Sequence, residues 1–347
     1  MKKLIFSVAL LSAALSASAE EHPLWMRYPA ISPDGTTIAF AYKGDLYSVS
    51  VNGGEARQLT THAAFDSHPV WSPDSKKIAF QSNREGSLDI FVIDAKGGAP
   101  TRLTTNSGSE TPIAFADNDH VLYSASLQPT AQSIIFGDNT FPQVYKVSTK
   151  GGRPELFSTL TMENISIAKN GDILYHDKKG YEDPWRKHQK SPIARDIWLK
   201  SNGKFAKQTT FAGEDRSPVW TSDEKSFFYL SEQDGTFNIY RRSLNSSSDK
   251  QITHHKGNPV RFLTASSTDL LCYGYDGEIY TVKEGGEPQK VNISITTDND
   301  APSLVRQIKS WGATEISVSP DAKEVAFVMH GDVYVTSVEY TTTKRIT

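Results

Sequence analysis

The feature that most constrains this chain is a repeat. Pro29-Ala30-Ile31-Ser32-Pro33-Asp34-Gly35-Thr36-Thr37-Ile38-Ala39-Phe40 returns 40 residues later as Pro69-Val70-Trp71-Ser72-Pro73-Asp74-Ser75-Lys76-Lys77-Ile78-Ala79-Phe80. Weaker copies begin at Pro112, near Asn164, at Pro218, at Pro259 and near Glu315, which gives seven units. Self-similarity at such a period marks supersecondary units that bury their faces by stacking on one another.

Each unit reads as four short strands. In the second they are 69–71, 77–81, 89–93 and 101–104, rich in β-branched and aromatic residues and bounded by turn signals. In Ser32-Pro33-Asp34-Gly35 the proline presets φ, the serine offers a local hydrogen bond and the glycine suits the last turn position. Asn52-Gly53-Gly54, Lys96-Gly97-Gly98, Lys150-Gly151-Gly152 and Glu284-Gly285-Gly286 read as tight connections between third and fourth strands. A fourth strand then recurs, as in Arg57-Gln58-Leu59-Thr60 and Lys250-Gln251-Ile252-Thr253. Four antiparallel strands in about 40–45 residues are the period of a propeller blade. The expected fold is all-β: a six-bladed β-propeller followed by one further blade-like unit, with a single seven-bladed ring as the alternative. Unit six has four strands of its own (260–264, 270–275, 278–282, 290–295), so closure of the ring is not expected to borrow a terminal strand.

Residues 1–19 carry the marks of a signal peptide. Lys2 and Lys3 precede the apolar run 4–15, and Ala17-Ser18-Ala19 offers a small-residue cleavage site. Export, and a periplasmic location in a Gram-negative source, are therefore expected. No later stretch approaches the roughly 20 apolar residues of a membrane helix. Loss of Lys2 and Lys3 takes the formal charge from −3 to −5, which gives no reason to expect nucleic acid or an acidic membrane as partner. The single cysteine, Cys272, lies in Leu270-Leu271-Cys272-Tyr273 and reads as a small buried hydrophobe. We divide the chain into signal peptide (1–19), six-bladed propeller (20–296), and a linker with the first blade of a second propeller (297–347). The polar run from Thr296 to Pro302 marks the last boundary.

The search for chemistry is negative. There is no Gly-x-Ser-x-Gly elbow, no His-Glu-x-x-His and no phosphate-cradling glycine loop ahead of a lysine. His254 and His255 are adjacent, and neighbours on a strand point to opposite faces; they read as a turn pair. No catalytic residue, metal ligand or cofactor site is assigned. Interaction residues are sought in the two long insertions, which usually project from one face of a repeat array. In the fourth unit, Tyr181, Trp185, Arg186, Lys187, His188 and Lys190 combine aromatic bodies with cationic heads suited to a peptide carboxylate or a partner domain, against a plain interblade loop that packs Trp185 on its own propeller. In the third unit Ile134-Ile135-Phe136, within 127–142, suits the cover of a channel mouth or of a partner surface, again against a plain interblade loop.

The signal peptide, the Ser-Pro-Asp-Gly blades, the insert Tyr181-Glu182-Asp183-Pro184-Trp185-Arg186-Lys187, the run Gly213-Glu214-Asp215-Arg216-Ser217-Pro218-Val219-Trp220 and Pro259-Val260-Arg261-Phe262-Leu263 together resemble tricorn-like serine proteases. The resemblance implies a six-bladed and then a seven-bladed propeller ahead of PDZ and protease domains. It therefore implies a non-catalytic role here: guiding or filtering peptides or unfolded protein for downstream protease domains, with self-association into a homo-oligomer. The alternative is a self-contained periplasmic protein-binding propeller resembling the Tol-system translocation protein. An enzyme that uses propeller carboxylates, such as a glycosidase or lyase, is a third reading.

Overall fold

The computed structural model describes residues 23–127, 141–181, 185–186, 191–244, 248–296 and 309–347. Each unit grows outward from a local turn. Ser32 Oγ donates to Asp34 Oδ1 at 2.6 Å and accepts from Thr37 N at 3.0 Å, while Asp34 Oδ1 accepts from Thr36 N at 3.0 Å. The same three-way lock forms at Ser72/Asp74, Thr221/Asp223 and Ser319/Asp321. Its bonds are short in sequence, so the motif specifies the hairpin between first and second strands without help from a neighbouring blade.

A second local device ends four of the blades. The fourth-strand threonine turns its hydroxyl back on the third strand: Thr60 accepts from Leu46 N, Thr104 from Ile90 N, Thr209 from Ile197 N and Thr253 from Ile239 N, all at 2.9–3.1 Å. The recurring threonine is thus a cap, and the second blade's fourth strand is only Thr101–Arg102.

Seven four-stranded antiparallel sheets result, each built from one contiguous segment. We number them blades 1 (27–58), 2 (66–102), 3 (110–158), 4 (162–207), 5 (215–251), 6 (261–290) and 7 (313–345). The described residues contain no helix. First strands are innermost and touch in order from blade 1 to blade 6, and the first strand of blade 6, Arg261–Ala265, returns to that of blade 1, Arg27–Ile31. Six apolar clusters fill the six interfaces of this ring, one to each. Between blades 1 and 2, Leu46 and Leu59 meet Trp71, Phe80 and Phe91; between blades 6 and 1, Cys272 and Ile279 meet Ile38, Phe40 and Tyr47. Trp71 Nε1 donates across one seam to Ala30 O at 2.8 Å, and Trp220 Nε1 across another to Ser166 O at 3.1 Å. Cys272 is fully buried, and burial pushes its thiol up.

The closing seam differs from the sequence expectation in one respect. The segment read as a single fourth strand splits: Gln289–Lys290 completes blade 6, while Ile293–Ser294 crosses to pair in parallel with Gly54–Glu55 of blade 1. Gly54 N donates to Asn292 O and Ala56 N to Ser294 O, both at 2.8 Å, and Met26 N donates to Gly277 O at 3.0 Å. Closure therefore uses a two-residue latch outside the blades' own sheets. Gly53 permits it, with φ +83° and room for no side chain: a Cβ there would sit 2.4 Å from Asn292 O.

Blade 7 contributes to none of the six clusters among the described residues. It touches the ring through Arg27–Glu315 at 3.5 Å and through His330 stacked on Phe65 at 4.3 Å. Its own strands leave Ile316 70% and Val318 57% exposed.

Candidate functional site

The innermost strands share a break in their pairing. In all six ring blades the register between first and second strands slips, for example between Arg27 and Ala30, Ser67 and Val70, and Arg261 and Thr264. In five of them a residue in the slip has left-handed backbone: Tyr28 (φ 53°), His68 (55°), Asn164 (47°), Ser217 (53°) and Phe262 (59°). Such conformations cost roughly 1–3 kcal/mol each for residues other than glycine and persist where surroundings over-determine them. All five residues, with Ile113 of blade 3, line one cavity of about 650 Å³ on the axis of the ring.

The wall from blades 6, 1 and 2 is aromatic. Tyr28 packs on His68 with ring centroids 3.7 Å apart and on Phe262 at 4.8 Å. Burial pushes the His68 ring down to about 4, so it is neutral at physiological pH and serves as an aromatic surface.

The opposite wall, from blades 4, 5 and 6, is charged. His176 Nδ1 accepts from Ser217 N at 3.0 Å, which leaves Nε2 to donate to Glu163 Oε2 at 3.1 Å. Burial alone would raise the Glu163 carboxyl, but His176, Arg195 and Lys178 hold it well below the usual range. Arg195 bridges Glu163 at 3.1 Å and Glu214 at 3.2 Å. Arg216 lies over the Phe237 ring at 4.2 Å; burial, opposed by Glu214 and reinforced by Arg261, Arg195 and Arg186, brings it down to about 10, still charged at neutral pH.

The fourth-blade insertion reaches this wall. Trp185 is held between Arg27 (4.6 Å to the ring centroid) and Arg261 (5.3 Å), meets Phe262 edge-on at 5.9 Å, and its carbonyl accepts from Arg261 Nη2 at 2.6 Å. Arg186 turns inward: its side chain pairs with Glu214 at 2.6 Å and Glu232 at 3.4 Å. Tyr181 lines the cavity yet is 81% exposed, at its mouth. Of the six residues singled out in the sequence, the structure thus places Trp185 on the cavity, Tyr181 at its edge and Arg186 in a buried ion-pair network. Lys187, His188 and Lys190, and Ile134-Ile135-Phe136, lie outside the described residues.

Sequence reasoning missed Tyr28, His68, Phe262 and the Arg195–Arg216 pair. A signal was present for some of them: Tyr28, His68 and Ser217 each immediately precede a repeat proline. Of the pair His254-His255, both outside any strand, His254 is exposed, whereas His255 is partly buried, stacks on Tyr275 at 3.9 Å and bonds the Tyr273 hydroxyl at 3.0 Å. No group of three or more metal-ligating side chains is found among the described residues.

Residues 23–288 match the family described as the tricorn protease N-terminal beta propeller domain. Over 90% of its length the chain is 25% identical to Tricorn protease homolog 1 of Streptomyces coelicolor, of which it covers 29%. Over 93% of its length it is 24% identical to the Tricorn protease of Thermoplasma acidophilum, of which it covers 30%. The crystal structure of the tricorn protease superposes with a TM-score of 0.67 at 20% identity, covering 93% of this chain and 31% of that one. TolB from Acinetobacter baumannii superposes at 0.55 and 15% identity, covering 75% and 61%. These two structural likenesses establish a shared fold. The chain spans under a third of the length of the tricorn relatives named above.

Proposed function

The chain belongs to the tricorn protease N-terminal β-propeller family, and on that premise we propose that it is the non-catalytic propeller region of a tricorn-like periplasmic serine protease, exported by the signal peptide at 1–19. In this reading it guides or filters peptides for a protease core that lies outside these 347 residues. Residues 297–347 are the linker and first blade of a second propeller; support comes from the exposed Ile316 and Val318 of blade 7, a face that in the ring each blade covers with its neighbour.

The observation that carries the reading is the axial cavity of about 650 Å³, walled by the first strands of all six ring blades. The inner strands set its lining, and the Trp185-bearing insertion and charged wall offer polar contacts beside apolar ones, the usual make-up of a site for small ligands. The alternative of a self-contained protein-binding propeller rests on fold likeness alone.

The test uses residues 20–347 and a fluorescein-labelled unstructured octapeptide in an anisotropy titration. Saturable binding is expected, weakened at least tenfold by Asn164→Trp, which places a large ring on the axis at a position where Tyr28 and Phe262 are accommodated in the same backbone conformation. Absence of saturable binding, or binding indifferent to Asn164→Trp in a folded variant, would overturn it.

A further inference from the structure

We propose that the axial cavity is a receptor for one aromatic side chain of a bound peptide, seated against the arc formed by His68, Tyr28, Phe262 and Trp185. The proposal rests on the peptide-handling role above and adds the chemical class that the site selects.

Three independent observations converge on it. The first is the arc itself. Four rings from blades 2, 1 and 6 and the fourth-blade insertion follow one another at 3.7, 4.8 and 5.9 Å, and all four line the same cavity. All four are partly exposed, and each contributes surface to the cavity wall, Trp185 from between its two arginines. Aromatic pairs gain from offset or edge contacts at centroid distances of about 4.5–7 Å, and a fifth ring entering the cavity meets several faces and edges in that range.

The second is strain. Tyr28, His68 and Phe262 all have left-handed backbone. Neither Tyr, His nor Phe favours that conformation, and bulky residues rarely adopt it. The inner-strand slip thus holds three rings on the axis in a conformation that each opposes on its own, as strained functional positions do. In blades 4 and 5 the same position carries Asn164 and Ser217. Small polar residues there leave the far side of the axis open, which makes the cavity asymmetric.

The third is charge. Across the cavity from the aromatic arc stand Lys178, Arg195, Arg216 and, at the end of the arc, Arg261; the described carboxylate in the lining is Glu163. Lys178 and Arg195 pair with Glu163, and Arg195 and Arg216 with Glu214, yet these four cations outnumber the two carboxylates, and the excess disfavours a lysine or arginine side chain on the axis and leaves an uncharged ring unopposed. A cavity of about 650 Å³ also falls within the roughly 300–1,000 Å³ of sites that enclose small ligands.

The experiment displaces the labelled octapeptide from residues 20–347 with blocked tripeptides, acetyl-Ala-X-Ala-amide, where X is Phe, Ala or Lys. Blocking both ends removes any contribution from a terminal carboxylate or amine. The expected order is Phe at least tenfold better than Ala, with Lys weakest. Phe262→Ser and His68→Ser copy the residue that blade 5 carries at the same position; each is expected to reduce the Phe-over-Ala ratio to within threefold while Ala binding is kept. A thermal melt of each variant establishes that it folds, and either one suffices for the comparison. Equal displacement by Phe and Ala overturns the aromatic receptor and leaves the peptide role standing. A ratio unchanged in a folded variant also overturns it. Failure of the octapeptide to bind at all overturns the peptide role and this proposal together.

Discussion

Asp215→Asn should stabilise the ring at neutral pH and leave it unchanged in acid. Asp215 opens the first strand of blade 5, is 1% exposed, and neither of its carboxylate oxygens has a well-formed hydrogen bond. Burial pushes its carboxyl up from 3.8 to about 7, against the Ser231 and Thr209 hydroxyls, which lower it, and with Asp196 and Asp249, which raise it further. A carboxyl raised on folding is protonated in the native state where the unfolded chain has already ionised. Its stabilisation is complete below the unfolded value near 3.8 and is lost as pH climbs through about 7. At ~1.4 kcal/mol per pH unit over that window, the ceiling is ~4 kcal/mol. Local relaxation or water entry halves such figures readily, so about 2 kcal/mol is the working expectation. Asparagine keeps the shape and stays neutral. Urea unfolding of both proteins from pH 4 to pH 8 gives the difference directly, since contributions from Asp45 and Glu110, raised by burial to about 6 and about 7, cancel between them. A gap that opens from near zero at pH 4 to about 2 kcal/mol in favour of Asn at pH 8 is predicted. A gap flat across pH, or a variant less stable at pH 8, would refute the reasoning.

Gly53→Ala strains a left-handed position and drives a methyl into Asn292 O; a loss of ~2 kcal/mol or more is expected, with faster hydrogen exchange at the Gly54 and Ala56 amides than elsewhere in blade 1. Trp71→Phe keeps most of the packing at the seam between blades 1 and 2 but leaves Ala30 O without its indole donor, for a cost of ~1–3 kcal/mol in chemical denaturation. Arg186→Met takes one cation from the almost wholly buried Glu214 and Glu232 while Arg195 and Arg216 stay on Glu214; a loss of ~2 kcal/mol is expected in chemical denaturation.

What could be read from the sequence was whatever the chain encodes locally. Ser32, Asp34 and Thr37 bond one another within six residues, so the Ser-Pro-Asp turn names its own hairpin, and the four strands of blade 2 fall close to their expected places. The Ile293–Ser294 latch was not legible, because its β-forming residues look the same whether they pair with their own blade or with one 239 residues away. The repeat puts the start of the sixth unit at Pro259, yet the residue that matches Tyr28 and His68 on the axis is Phe262: the slip in pairing sets that equivalence, and no residue type announces it. Trp185 stood out because its insertion breaks the repeat. Its companions on the axis come from blades tens to hundreds of residues apart, and Arg186 gives no sign in sequence of the Glu214 and Glu232 that neutralise it.

Hydrogen exchange of residues 20–347 with and without the unstructured octapeptide tests the central claim, that the ring's axis is where this propeller meets its ligand. Added protection is predicted in the inner strands Arg27–Ile31, Asp66–Trp71 and Arg261–Ala265, with the outer strands unchanged. Protection confined to outer strands, or to Ala313–Val318 of blade 7, would contradict it.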